Sequence, residues 1–223
     1  MTIIRPPAGR ILVTIRFSKR NRDAAMRMVR LFTDLEGGSC RLASLCMIAD
    51  YGVPHDNDTL SYATRKFHVS AYTLPGITPS EGLRLASCLG VLHDVGSAHG
   101  AAWHKAHFIA EPTGAPMHRD WVYFLSDAWD KAGTTILGSV NAQDNSLDRS
   151  GFLVTGDLGM LNTLSATPAI PHKDATLGTV IKSRWGPPHR IESDAAWWDL
   201  VNNGIIWLNG GDALEMSRRI LLS

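Results

Sequence analysis

Cysteine is scarce: Cys40, Cys46 and Cys88 are all that the 223-residue chain contains. An odd number without Cys-x-x-Cys spacing argues against a disulfide framework or a structural zinc site and fits a reducing cytoplasm. An excess of either charge is also lacking. Lys and Arg number 22 against 21 Asp and Glu, a net charge of +1. No global field therefore points to nucleic acid or membrane, and binding to either would need a local patch. No apolar run approaches the ~20 residues of a membrane span. Ile11 to Ile15 is too short for a signal peptide and is followed by Arg16, Lys19, Arg20 and Arg22. Repeats and low-complexity segments are absent, so disorder is not the default. Gly-x-Gly-x-x-Gly and Walker-type loops are missing too, which disfavours the common dinucleotide and NTPase folds. What remains is a cytoplasmic globular protein whose 44% hydrophobic content supports a real core.

The most informative stretch runs from His107 to Trp129. His107 to Ala110 reads as a buried strand. Glu111-Pro112-Thr113-Gly114-Ala115-Pro116 then breaks it, and two prolines with a glycine forbid continued strand or helix. A helix follows from Asp120, with Trp121, Phe124, Leu125, Ala128 and Trp129 at helical spacing. An acidic, turn-rich loop thus closes a strand, where open α/β sheets place their ligands.

Upstream, Arg10 to Phe17 predicts the first strand of a parallel sheet. Ser18 to Arg22 is a basic loop with Asn21 as a helix cap. Asp23 to Leu35 is an amphipathic helix ended by Gly37-Gly38. Arg41 to Tyr51 suits helix or strand, and its short apolar centre favours a strand ending at Asp50. A helix over 58–66, a strand over 67–74 and a helix over 80–90 follow. Residues 101–106 read as a helix leading into the central strand. Downstream, Gly133 turns the chain into a strand over 134–140, and 141–149 reads as an exposed loop. Strands over 151–155 and 205–208, a pairing segment at 177–181 and helices over 194–201 and 212–222 complete the reading. Strands alternating with helices predict a mostly parallel mixed sheet flanked by helices.

Four local features resemble GT-A-type glycosyltransferases, especially small bacteriophage-encoded ones. They are the opening strand, polar loop and helix; Glu111-Pro112-Thr113 with Pro116 and Asp120-Trp121; the helix into Gly133 and a strand with Gly138; and the late strand, Gly-Gly-Asp turn and helix of Ile205 to Leu214. The resemblance implies one GT-A-like domain over 1–223, binding a nucleotide-sugar with residues 1–110 and an acceptor with 111–223. It also implies the acceptor class, a modified base in phage DNA within the host cytoplasm. Such enzymes carry a second acid after the central strand, because paired carboxylates hold Mg²⁺ or Mn²⁺ against the diphosphate. Here that position is Thr113, and Leu208-Asn209 stands where a metal-binding histidine is usual. Two readings stay open. Cations such as Arg16, Lys19, Arg20 and Arg22 meet the phosphate charge, or the fold survives without catalysis.

Each candidate has an ordinary alternative. Glu111 would bind donor or acceptor, or merely cap the next helix. Asp50 would hold the ribose or base, or be a turn aspartate. Asp174 lies where the resemblance puts a Trp-Asp pair and would be the base that deprotonates an acceptor hydroxyl, though a turn residue is the commoner explanation. Arg16 to Arg22 would cradle phosphates, or be a solvated loop. Thr113 joins the donor side by its place beside Glu111, and Asp120 and Trp185 the acceptor side. Trp121 and Trp129 read as core. A rival class is the papain-like cysteine peptidase: Gly38 to Gly52 resembles the Cys-initiated helix of double-glycine leader peptidases, with Cys40 activated at the helix start. Its general base is missing: Ser150-Gly151 stands where the histidine should open a strand.

Overall fold

The computed structural model describes residues 10–36, 43–76, 81–98, 104–140, 147–165, 175–177, 181–182, 193–210 and 212–223. β1 (Arg10–Phe17), α1 (Arg22–Leu35), β2 (Ala43–Ala49), α2 (Asn57–Ala63), β3 (His68–Thr73) and α3 (Glu81–Ala98) form the first half. β4 (His104–Ala110), β5 (Gly114–Pro116), α4 (Trp121–Ala132), β6 (Ile136–Val140), β7 (Leu147–Thr155) and α5 (Leu158–Ser165) follow. β8 (Ala175–Leu177), β9 (Ile181–Lys182), α6 (Asp194–Asn202), β10 (Trp207–Asn209) and α7 (Ala213–Leu222) end it.

Among the described residues the main sheet has seven strands in the order β3-β2-β1-β4-β7-β6-β8. β7 runs antiparallel to both its neighbours, and the other pairings are parallel. The central strands are buried on both faces, which is why they read as continuous apolar runs. Ile11, Val13, Ile15 and Phe17 point to one side, with Leu45, Met47 and Phe108, and pack with Met28, Val29 and Phe32 of α1 and Trp121 of α4. Leu12, Cys46, Ile48 and Ile109 point to the other, against Leu85, Cys88, Leu89 and Leu92 of α3 and Leu161 of α5.

A second sheet, β5-β10-β9, sits beside β4. An aromatic cluster joins it to the first. Phe108 of β4 meets Trp207 of β10 at 4.8 Å between ring centres, and Phe32 of α1 meets Trp121 of α4 at 4.7 Å. The two indoles lie 5.6 Å apart, so a strand of each sheet and two helices share one apolar knot.

Several expectations need correction. Gly114 to Pro116 is not only a turn but a short strand, antiparallel to β10, with Pro116 opposite Trp207. It lies at the edge of its sheet, where a missing N–H is tolerated. Residues 104–106 are strand rather than helix, because Ile11 pairs with Ala106 and Arg10 with His104. α3 does not stop at Gly90 but continues to Ala98, since Leu85, Cys88, Leu89 and Leu92 extend one buried stripe past it. β7 starts at Leu147, not Gly151, with Leu147 paired to Val140 and buried. Ala43–Ala49 is a strand, so the Cys40-initiated helix that the peptidase needs is replaced by sheet; Cys40 itself lies outside the described residues. Burial pushes the thiols of Cys46 and Cys88 up to about 12, which leaves them inert.

Two glycines give opposite expectations. A Cβ on Gly114 would stand 2.6 Å from Nε1 of Trp207 and 2.7 Å from Oδ1 of Asn209. Gly114→Ala should therefore lower the unfolding free energy by about 1–3 kcal/mol through overpacking. Gly90 lies within α3 with nothing within 4 Å of an added Cβ. Gly90→Ala should raise stability by about 0.5–1 kcal/mol. Urea denaturation of the two variants checks both signs.

Candidate functional site

The chain leaves β1 outward through β2 to β3, then returns to lay β4 on the other side of β1. That reversal is a topological switch point, and it opens a crevice at the carboxyl ends of the two strands. Register then decides who stands there. Ile15 pairs with Ala110, so Arg16 falls level with Glu111. Phe17 pairs with Ala49, so the turn after β1 falls beside Asp50.

A cavity of about 350 Å³ fills the crevice, lined by Arg16, Phe17, Ser18, Arg20, Asn21, Asp50, Glu111 and Thr113. Arg16 is only 2% exposed, and its Nη2 donates to Oε1 of Glu111. Glu111 is partly open, at 26% exposure. Asp50 is fixed by its backbone: its N–H donates to the Phe17 carbonyl at 2.9 Å, and its carbonyl accepts from Val53 at 3.1 Å. Gly52 takes φ +75° in that turn, a conformation that suits glycine.

The acid loop is held from the C-terminal side. The Thr113 N–H donates to the Glu111 carbonyl and the Gly210 N–H to the Thr113 carbonyl, each at 2.7 Å. The Ser217 hydroxyl donates to the Pro116 carbonyl at 2.6 Å. The loop with Glu111 and the late strand-turn-helix segment are thus one unit in space.

Five residues singled out from the sequence meet in this cavity: Arg16, Arg20, Asp50, Glu111 and Thr113. Lys19 and Arg22 do not line it. Lys19 is exposed on the single 3-10 turn Lys19–Asn21, and Arg22 donates its Nε to the Pro54 carbonyl at 2.9 Å. Asp120 lies elsewhere, exposed at the head of α4 and near Glu36. Asp174 and Trp185 lie outside the described residues; Ala175, which follows Asp174, is level with Ile136, Val154 and so His107 across the sheet. Ser18 and Asn21 went unassigned as site residues. Asn21 does not cap α1 with its side chain; Oδ1 instead accepts the Ser18 N–H at 2.7 Å and its hydroxyl at 3.1 Å. The three-residue spacing of Ser18 and Asn21 was the available signal. A second cleft of about 210 Å³ holds Arg27, Arg30 and Arg218 with Asp34 and Glu215. It lies among α1, α2 and α7, away from the strand ends, and Asp34 already accepts the Tyr62 hydroxyl at 2.5 Å.

No protein-family model and no curated protein matches the chain. Solved structures do. Residues 1–349 of S. aureus TarS superpose with a TM-score of 0.51 at 6% identity, over 95% of this chain and 64% of that one. The WbbM bifunctional glycosyltransferase gives 0.54 at 6% identity, over 90% and 45%. Mouse xyloside xylosyltransferase 1 gives 0.53 at 8% identity, over 91% and 97%. The fold is GT-A. At these identities the likeness is one of fold. The chain spans less than two thirds of the TarS and WbbM chains it matches.

A GT-A fold implies Mg²⁺ or Mn²⁺ at this crevice, but the residues present do not fit one. Hard divalent cations take six or more oxygen ligands, usually with several carboxylates. Among the described residues no three His, Cys, Asp or Glu side chains converge. Thr113, two residues after Glu111, offers a hydroxyl and no carboxylate, and Asn209 accepts the Trp207 indole N–H at 2.7 Å. Glu111 already accepts a guanidinium, and Asp50, across β1 from it, is the other described carboxylate that lines the cavity. No described helix is long and apolar enough to cross a membrane.

His107 and Glu36 are among the shifted titratable groups that lie off the site. Burial, with His104 adding to it, pushes His107 down to about 3, so it stays neutral. Burial first, then the charge of Asp120, pushes Glu36 up to about 7. Glu36 thus keeps its proton in the folded state where the unfolded chain has lost it. Stability therefore falls as pH rises from about 4.5 to about 7. Glu36→Gln should raise the urea midpoint at pH 8 and leave it little changed at pH 4.

Proposed function

We propose that the protein transfers a glycosyl group from a nucleotide-sugar to an acceptor hydroxyl. One observation carries the reading: the order of charges across the crevice. Asp50 stands at the end of β2, Arg16 and the Arg20 turn at and after the end of β1, and Glu111 and Thr113 at the end of β4. Neighbouring strands are about 4.8 Å apart. Acid, cation and acid therefore succeed one another over about 10 Å. A nucleotide-sugar has the complementary order: a hydroxyl-bearing nucleoside, an anionic diphosphate and a hydroxyl-bearing sugar. Carboxylates accept from hydroxyls, and guanidinium forks donate to phosphate oxygens. The cavity volume is within the range of small-molecule sites.

In the reaction, the bond from the sugar's anomeric carbon to the phosphate oxygen breaks, and its electron pair leaves with the diphosphate. A bond forms from the acceptor oxygen to that carbon. The acceptor's proton passes to a carboxylate, for which Asp174 is the candidate by resemblance. Trp185 is the candidate for stacking on the acceptor. A modified base in phage DNA is the acceptor implied by the resemblance alone, and a net charge of +1 adds no field in its favour.

A solved TarS structure with the same likeness holds UDP, so UDP and UDP-sugars open the ligand panel. A thermal-shift screen of nucleoside diphosphates and nucleotide-sugars should show one selective stabiliser, worth about 2.7 kcal/mol at a hundred times its Kd. Glu111→Ala should then abolish sugar transfer or donor hydrolysis while circular dichroism stays native. The proposal falls if no nucleotide shifts the melting curve, and Glu111 loses its role if the variant turns over normally.

A further inference from the structure

We infer that the buried guanidinium of Arg16, clasped by Glu111, does for the donor's diphosphate what a divalent metal does elsewhere in this fold. The inference rests on the nucleotide-sugar reading and adds that this site binds its nucleotide without metal.

Three observations converge. Arg16 is 2% exposed and still lines the cavity, so its charge faces the ligand with little water to screen it. Its position is set twice, by β1 pairing with β2 and β4 and by the Glu111 carboxylate. A preset guanidinium meets phosphate oxygens through planar forked donors and keeps its charge at any working pH. Next, the carboxylate that would hold a metal is in use. A divalent ion on Glu111 would share that carboxylate with Arg16 and set a second positive charge against a buried guanidinium. Finally, a further cation stands nearby: Arg20 lines the same cavity and has no hydrogen bond or ion pair among the described residues.

The parts then divide by chemistry. Arg16 is the fixed contact to the diphosphate and steadies the charge that grows on it as the sugar departs. Arg20 is the exposed arm that closes on the phosphates. Glu111 positions Arg16 through one carboxylate oxygen and keeps the other for the sugar's hydroxyls, rather than holding a metal. Asp50, one strand away, is the group placed to meet the nucleoside.

The test is calorimetric titration with UDP, GDP, ADP, CDP and TDP, each in EDTA and each in MnCl₂. The expected result is one nucleotide whose affinity in EDTA is within about twofold of that in Mn²⁺, since no ion is being counted in its site. Arg16→Gln should weaken that nucleotide by about tenfold or more, the loss of a charge-assisted contact. Arg16→Lys should recover part of it. Should Arg16→Gln fail to fold, Arg20→Gln on the exposed turn should still weaken binding severalfold in EDTA. Adding Thr113→Asp to Arg16→Gln restores a carboxylate pair and should make binding respond to Mn²⁺. Binding that needs Mn²⁺ and disappears in EDTA overturns this inference and leaves the nucleotide-sugar reading standing. Binding to none of the nucleotides in either condition overturns both.

Discussion

Between β1 and β4 the backbone bonds run in a register that sets Ile15 against Ala110. The candidate site depends on this pairing. It carries Arg16 to the level of Glu111 across 95 residues of sequence. A slip of one residue would turn every side chain of β1 to the other face. Arg16 would then point at the apolar layer of Phe32 and Trp121, with no carboxylate to meet it. Burial of a lone cation is costly enough to disfavour that alternative. The ion pair is thus a feature of function and also a check on register.

Around the pair the protein is built from non-interchangeable layers. The α1–α4 side of the sheet carries a continuous apolar cluster fastened by the Phe32, Phe108, Trp121 and Trp207 rings. On the α3–α5 side, Thr14, Arg16 and His107 sit among buried aliphatic residues. Along β1 the buried polar side chains Thr14 and Arg16 lie on that face and lead toward the crevice. The small sheet reaches the same crevice from below, because β5 is both the end of the acid loop and the partner of β10.

Strand ends were legible in the sequence, and with them Arg16, Asp50 and Glu111. Apolar runs ending in polar residues are local signals, and the site is made of such endings. Which strand lies beside which was not legible. Pairing is settled between distant segments, so nothing near Arg10 announces His104 as its partner. The same cause explains the wrong helix at 101–106 and the missed strand at 114–116. Ala, Lys and Pro carry local preferences that a neighbouring strand overrode. Gly90 misled in the opposite sense: one glycine reads as a stop, but four buried side chains before and after it hold α3 together. Asp120 joined the acceptor side in the sequence reading because it heads the helix soon after Pro116. In space the chain has by then crossed to the Glu36 side.

The bond from Ser217 to the Pro116 carbonyl joins residues 101 apart in the chain. A ribosome adds roughly 5–20 residues per second, so the acid loop is made about 5–20 s before its fastening exists. During that interval β4 can already settle beside β1, while the loop beyond it has no partner strand. The nascent chain thus carries a formed guanidinium shelf and an untethered rim, and gains a finished mouth only when Trp207 to Ser217 emerges.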